Sequence, residues 1–117
     1  MKNIILLITV MVLSACATTS TVKSVAGTYE LKIDGDTYRS VLLENGIVES
    51  YKNGKKRSEA KWKISKEGEL YVTSSDGFIV VYRINKDRSI TVIAFISKDG
   101  KRREALKENQ FTYKKIK

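Results

Sequence analysis

Short stretches of alternating hydrophobic and polar residues fill the chain from Val25 onward, and turn signals separate them at regular intervals. Six of the seven glycines follow an acidic residue or an asparagine, and the Asn-Gly and Asp-Gly pairs are typical of tight β-hairpin turns. Alternation places successive side chains on opposite faces of a strand, as where Ala60, Trp62 and Ile64 alternate with charged residues. The pattern predicts nine strands, at residues 25–33, 37–44, 47–52, 58–64, 69–74, 78–84, 89–96, 101–107 and 110–116.

Strands that follow one another through tight turns form an antiparallel meander, and no segment has a convincing helical period. Proline, which interrupts the hydrogen bonds of a sheet, is absent from the chain. Because an open meander would expose two long edges, we expect the sheet to curl into an up-and-down barrel or half-barrel. The predicted fold class is all-β, with a single meander of about eight or nine strands. Residues 78–82 and 90–96 are apolar on both faces, which indicates strands covered on two sides or a dimer contact.

The N-terminal segment has a different pattern. A lysine precedes an apolar run of ten residues from Ile4 to Leu13, and small residues then precede a cysteine, which is typical of a secretory signal. A membrane-spanning helix needs about 20 apolar residues, so this run is too short to span a bilayer. The tetrapeptide Leu13-Ser14-Ala15-Cys16 resembles the lipobox of bacterial lipoproteins. The resemblance implies that Cys16 is diacylated on sulfur and that the chain is cut immediately before it.

The predicted organisation has three parts: a lipoprotein signal peptide at 1–15, a lipidated cysteine with a polar tether at 16–24, and a β domain at 25–117. Cys16 is the only cysteine, and the alternative interpretation is a secreted protein with an incidental thiol. A diacylated cysteine provides two acyl chains, which suffice for stable anchoring without a second membrane signal. Ala17 is not aspartate, and in bacteria with two membranes the resemblance then implies the outer membrane. We expect a lipid-anchored envelope protein, on the periplasmic face of that membrane where one exists.

The first predicted strand carries a second resemblance. Its Gly27-Thr28-Tyr29 opening resembles the Gly-x-Trp start of lipocalins and of the lipocalin-like domains of small bacterial lipoproteins, with Tyr29 in the place of tryptophan. The resemblance in pattern covers 25–116 and implies a barrel that binds a small apolar ligand or lipid. Alternatively, Gly27 is a strand bulge that lets Tyr29 pack against the barrel floor. The candidate ligand-binding residues are Tyr29, Val72, Val80, Tyr82 and Val92.

The chain is strongly basic, with 22 Lys and Arg residues against 13 Asp and Glu residues and a formal net charge of +9. An envelope location excludes nucleic acid as a partner and leaves anionic lipid headgroups or acidic glycans. Alternatively, the lysines only solvate strand faces and discourage edge pairing. The candidate basic surface surrounds one predicted hairpin and consists of Lys52, Lys55, Lys56, Arg57, Lys61 and Lys63.

The composition argues against catalytic chemistry. The chain has no histidine, which excludes Ser-His-Asp and Cys-His arrangements and the common zinc sites. Most carboxylates lie in predicted turns, where they are solvated, so no paired-carboxylate site is predicted. We therefore expect no enzyme, no metal site and no cofactor.

Two functions stay open. In the first, the barrel binds a small apolar ligand or lipid. In the second, the basic hairpins bind an anionic envelope macromolecule or inhibit an envelope enzyme. An open cavity among the inward side chains would favour the first function, and a filled interior would favour the second.

Overall fold

Nine strands account for most of residues 22–117, the part of the chain that this computed structural model describes. The predicted all-β meander is confirmed. A turn of 3₁₀ helix, Lys107–Asn109, lies between the last two strands, and a helical turn at 22–25 precedes the first. Cys16 and the predicted signal peptide lie outside the described residues. The strands are β1 (Gly27–Ile33), β2 (Asp36–Leu42), β3 (Ile47–Lys52), β4 (Lys55–Ile64), β5 (Leu70–Thr73), β6 (Ile79–Ile84), β7 (Ile90–Ile96), β8 (Arg102–Glu104) and β9 (Thr112–Lys115).

The strands form one antiparallel sheet that closes into an eight-stranded barrel with one extra strand. Each strand from β1 to β7 pairs with its neighbour in the chain, and β9 then pairs with both β7 and β1. The extra strand, β8, pairs with the same edge of β7 as β9 does, but nearer the end of β7. Strands β8 and β9 therefore occupy the same position in the barrel wall, one after the other, and the 3₁₀ turn lies between them.

The barrel has two ends, because consecutive turns of a meander alternate between them. The lower end consists of the helical turn at 22–25 and the turns at 43–46, 65–69 and 85–89. The upper end consists of the turns at 34–35, 53–54, 74–78 and 97–101. Lys115 fixes the helical turn to the lower end, because its Nζ donates a hydrogen bond to the carbonyl oxygen of Ser24 at 2.7 Å.

The interior is packed at the lower end, and its side chains are less buried toward the upper end. The indole nitrogen of Trp62 donates a hydrogen bond to the carbonyl oxygen of Leu43 at 2.7 Å, which joins β4 to the first lower turn. Inward residues nearer the upper end, such as Val72 and Val80, are only half-buried. The barrel thus has a closed floor, formed by the buried residues Val25, Tyr29, Leu42, Val48, Trp62, Leu70 and Ile90.

Strands β6 and β7 are also covered on their outer face. Val81 and Ala94 point outward from these strands, yet both are fully buried. The guanidinium of Arg102 in β8 donates two hydrogen bonds, of 2.8 and 3.0 Å, to the carboxylate of Glu69 beside β5. Because β6 and β7 lie between β5 and β8 in the sheet, this ion pair crosses their outer face. The chain's own side chains therefore cover Val81 and Ala94, and a second copy is not needed to do so.

Most strand boundaries differ from the prediction by one to three residues, and three of the differences have a clear structural cause. Strand β4 begins at Lys55 rather than at residue 58, because its pairing with β3 continues to the hairpin turn. Strand β8 is shorter than the predicted 101–107, since the chain turns away once the amide of Ala105 has donated to the carbonyl of Ile93. The helical turn takes up the last residues of the predicted tether, and the amide of Ala26 donates to the carbonyl of Val22 at 3.0 Å.

Gly27 lies where two backbones approach each other closely. Its φ is +148°, which L side chains rarely adopt, and a Cβ at this position would lie 2.3 Å from the carbonyl oxygen of Lys117. Gly27→Ala should therefore lower the free energy of unfolding by about 3 kcal/mol, through backbone strain and a steric clash. Urea unfolding followed by circular dichroism measures this loss. Gly35→Ala is the matched control, because Gly35 also has positive φ but has open space around it. Equal losses in the two variants would contradict the close approach.

Candidate functional site

Four of the five predicted ligand-binding residues lie on one inner wall. Val72 pairs with Val80 across β5 and β6, and Tyr82 pairs with Val92 across β6 and β7. Tyr29 lies in β1, is 1% exposed, and donates its hydroxyl hydrogen to the carbonyl oxygen of Val25. The hydroxyl of Tyr29 is therefore used in the barrel floor, and the other four residues form a continuous inner surface.

Two further tyrosines, which the sequence did not identify as candidates, lie near Tyr82 in a row inside the barrel: Tyr113 approaches Tyr82, and Tyr38 approaches Tyr113. The rings of Tyr82 and Tyr113 meet edge to face, with centroids 6.1 Å apart. Burial and then the phenol of Tyr113 raise the pKa of Tyr82. Burial and then the phenol of Tyr38 raise the pKa of Tyr113. The phenol groups of β2, β6 and β9 are thus close enough to influence one another.

The hydroxyls of Tyr38, Tyr82 and Tyr113 differ from that of Tyr29, which donates to the carbonyl oxygen of Val25. Within residues 22–117, none of the three makes a hydrogen bond to another protein group. In the same part of the chain, no buried side-chain nitrogen or oxygen lacks a hydrogen-bond partner. Each of these hydroxyls must therefore reach space that a water molecule can enter. We call Tyr38, Tyr82 and Tyr113 the tyrosine cluster.

The chemistry of the tyrosine cluster is that of hydrogen-bond donors. Since burial raises the pKa of Tyr82 and Tyr113, both phenols stay protonated at neutral pH and do not act as bases. Above Tyr38, the Nζ of Lys52 lies 5.6 Å from the ring centroid and 3.9 Å from a carboxylate oxygen of Asp36. The arrangement can hold a hydrogen-bond acceptor near the phenols and an apolar group against the valines of β5 and β6.

The residues of the predicted basic surface do not form one patch in the structure. Lys52 and Lys55 pair at the hairpin of β3 and β4, whereas Lys61 and Lys63 point outward farther along β4. Two of its members are in ion pairs: Lys52 with Asp36, and Lys56 with Glu49 at 3.1 Å.

Lys56 also contacts a second carboxylate. The carboxylates of Glu59 and then Glu49 raise its pKa. Within the described residues, Lys55, Arg57, Lys61 and Lys63 are in no ion pair. The hairpin is therefore less positive than its basic residues alone indicate.

Open pockets also occur on the outside of the barrel. One of about 600 Å³ lies at the lower end, between Val22 and the turns that hold Asn45 and Lys66, with Trp62 and Ile64 in its wall. Others lie on the outer surface of β4 and beside the upper turns. None of these pockets is lined by any of the five predicted ligand-binding residues.

Compared with known proteins, the chain matches no family model and no curated protein, and its structure matches no solved structure. The lipobox and lipocalin-like resemblances therefore stay predictions from the sequence. Between residues 22 and 117, no helix has the length and hydropathy needed to cross a membrane. Across that range, histidine, cysteine, aspartate and glutamate side chains form no group of three that could hold a metal ion.

Proposed function

We propose that this chain is a non-enzymatic, lipid-anchored protein of the bacterial envelope whose barrel binds a small, mostly apolar molecule with one hydrogen-bond acceptor. The observation that supports ligand binding is the tyrosine cluster, whose three hydroxyls have no hydrogen-bond partner among residues 22–117. The Leu13-Ser14-Ala15-Cys16 motif supports the anchoring. The proposed partners are thus a membrane, through Cys16, and a small ligand.

The energetics favour a ligand with both an apolar body and a polar head. Burial of apolar surface against Val72 and Val80 contributes about 25 cal/mol for each Å². Each hydrogen bond from a phenol to the ligand adds about 0.5 to 1.5 kcal/mol net. A molecule without an acceptor would leave the phenols unpaired, so the cluster also selects among apolar molecules. Fatty acids and related amphiphiles have this combination of groups.

Removal of two hydroxyls from the tyrosine cluster tests the proposal. A fluorescent fatty acid is titrated into the full-length protein and into the Tyr82→Phe, Tyr113→Phe double variant. Phenylalanine keeps the ring but not the donor, so we expect affinity to fall about fivefold for each hydroxyl removed. Tyr71→Phe is the matched control, because Tyr71 pairs with the outward residue Val81. The control should bind as tightly as the wild type.

Stability provides a second measurement on the same variants. Because the hydroxyls of Tyr82 and Tyr113 have no protein partner, their removal should change the free energy of unfolding by no more than about 0.5 kcal/mol. Unchanged affinity in the double variant, or no binding of the probe by the wild type, would contradict ligand binding in the interior. A large loss of stability would instead indicate that the hydroxyls serve packing.

A further inference from the structure

The lower end of the barrel carries exposed basic side chains from separate parts of the chain. The helical turn contributes Lys23, the turn at 65–69 contributes Lys66, and the turn at 85–89 contributes Lys86 and Arg88. Strand β9 and the residues after it contribute two more. Exposed acidic residues are fewer at this end: they are Glu44, Glu67 and Asp87. We call the exposed basic residues at this end the basic rim; they are Lys23, Lys66, Lys86, Arg88, Lys114 and Lys117.

The residues of the basic rim form no ion pairs within residues 22–117, whereas Lys52 and Lys56 of the predicted basic surface are paired. Every ion pair formed between described residues involves Lys32, Arg39, Lys52, Lys56 or Arg102, none of which belongs to the rim. No rim residue has an ion-pair partner in the described part of the chain. The positive charge of the lower end is therefore offset only by the three nearby acidic residues and by no direct ion pair between described residues.

The surroundings of Lys115 and Asp87 agree with an excess of positive charge at the lower end. Burial and then the guanidinium of Arg88 lower the pKa of Lys115, which lies between the helical turn and Tyr29. Asp87, the acid nearest to Arg88 in sequence, accepts a hydrogen bond from the amide of Ser89 at 3.0 Å and another from its hydroxyl. Asp87 is thus engaged within its own turn.

The distance from the predicted anchor decides which basic surface can meet a membrane. Five residues separate Cys16 from Val22, so an extended chain spans at most about 22 Å between them. Strand β4 has 10 residues, which corresponds to about 33 Å from the basic hairpin to the lower end. The tether therefore holds the lower end near the bilayer in every orientation of the barrel. The basic hairpin can lie well beyond the distance of about 8 to 10 Å over which charges are screened in physiological salt.

We propose that the lower end of the barrel docks on a bilayer surface rich in anionic headgroups, with the basic rim in contact with the headgroups. The inference rests on the proposed lipid anchoring through Cys16. The pocket at the lower end adds an apolar wall of Val22, Trp62 and Ile64 beside Lys63 and Lys66. Apolar groups flanked by cations suit the boundary between headgroups and acyl chains. The acyl chains hold the protein on a membrane, and the rim sets its orientation and its preference for anionic lipid.

Partition between two kinds of vesicle tests the basic rim. The full-length lipidated protein is mixed with equal amounts of vesicles of phosphatidylcholine alone and of phosphatidylcholine with phosphatidylglycerol. Because the acyl chains insert equally well in both, the ratio of bound protein reports the rim alone. We expect the wild type to prefer the anionic vesicles at least tenfold at low salt, and the preference should shrink as salt rises. Lys66→Gln with Lys86→Gln should reduce this preference at least about fivefold.

A matched variant at the upper end supplies the control. Lys55→Gln with Lys101→Gln removes the same charge from two exposed turn-flanking lysines, and it should keep the wild-type preference. If both variants lost the same share of the preference for anionic vesicles, or if the lipidated wild type had no such preference, the proposed role of the basic rim would be wrong. The proposed lipid anchor would be unaffected. Mass spectrometry of Cys16 reports the anchor separately. If Cys16 carried no acyl groups and the preference for anionic vesicles still depended on Lys66 and Lys86, the proposed anchoring would be wrong. The proposed role of the rim in binding anionic lipid would stand.

Discussion

Replacement of Trp62 by alanine should lower the free energy of unfolding by about 3 to 5 kcal/mol. The side chain is 6% exposed and packs in the barrel floor. The variant would leave a cavity there and would remove the indole hydrogen bond to the carbonyl oxygen of Leu43, which would keep only the bond from the amide of Gly46. Denaturant unfolding followed by far-ultraviolet circular dichroism measures the loss without a tryptophan signal. In the wild type, the emission of Trp62 should be blue-shifted and poorly quenched by iodide.

Neighbouring lysines provide the control for Trp62. Lys61 and Lys63 point outward from the same strand, so Lys61→Ala and Lys63→Ala should each change the free energy of unfolding by about 0.5 kcal/mol or less. The loss in the free energy of unfolding for Trp62→Phe should lie between those of Trp62→Ala and the lysine variants. Phenylalanine fills most of the cavity but donates no hydrogen bond. A Trp62→Ala loss as small as that of the lysine variants would show that the floor is not packed around Trp62.

Cys16→Ala should move the protein from the membrane fraction to the soluble fraction and abolish incorporation of radiolabelled fatty acid. The expected effect is large because the two proposed acyl chains are attached to this one residue. The apolar run before it has ten residues, which is too short to hold the variant across a bilayer. Cell fractionation after a high-salt wash measures the release, and the wash removes any contribution from the basic rim.

A substitution outside the motif controls for Cys16→Ala. Ser20 lies in the predicted tether but outside Leu13-Ser14-Ala15-Cys16, so Ser20→Ala should be labelled and retained like the wild type. If the Cys16→Ala variant stayed on membranes after the salt wash, the lipoprotein proposal would be wrong. Retention of both variants without fatty-acid label would point to another mode of attachment.

Local alternation made much of the barrel predictable. The inward position of Trp62 follows from its two apolar neighbours at spacing two, and the tight turns follow from their glycine pairs. Tyr38 could have been found in the same way, because Tyr38, Ser40 and Leu42 share the inner face of β2. Residues that alternate within one strand need no knowledge of the partner strand, so the sequence is sufficient to place them.

Features that depend on distant pairing could not be predicted. The place of Tyr113 beside Tyr82 depends on β9 inserting between β7 and β1, and no local pattern specifies that closure. Likewise, Arg102 covers β6 and β7 only because it reaches a carboxylate 33 residues earlier in the chain. A shift in register between Ser50 and Tyr51 accompanies the ion pair of Lys56 with Glu49. Such a shift has no signal in the order of charged residues.

The closure at β9 also determines how the barrel opens. Strand β9 joins β1 through two residue pairs and β7 through two, whereas β1 and β2 share seven. Fewer residue pairs must separate to detach β9 than to part β1 from β2, so we expect the closed wall to open at β9 at a lower free energy than between β1 and β2. Tyr113 leaves with the strand. Detachment of β9 would therefore open the wall and, at the same time, remove one hydrogen-bond donor of the tyrosine cluster. The residence time of a bound molecule would then depend on how often this short strand detaches.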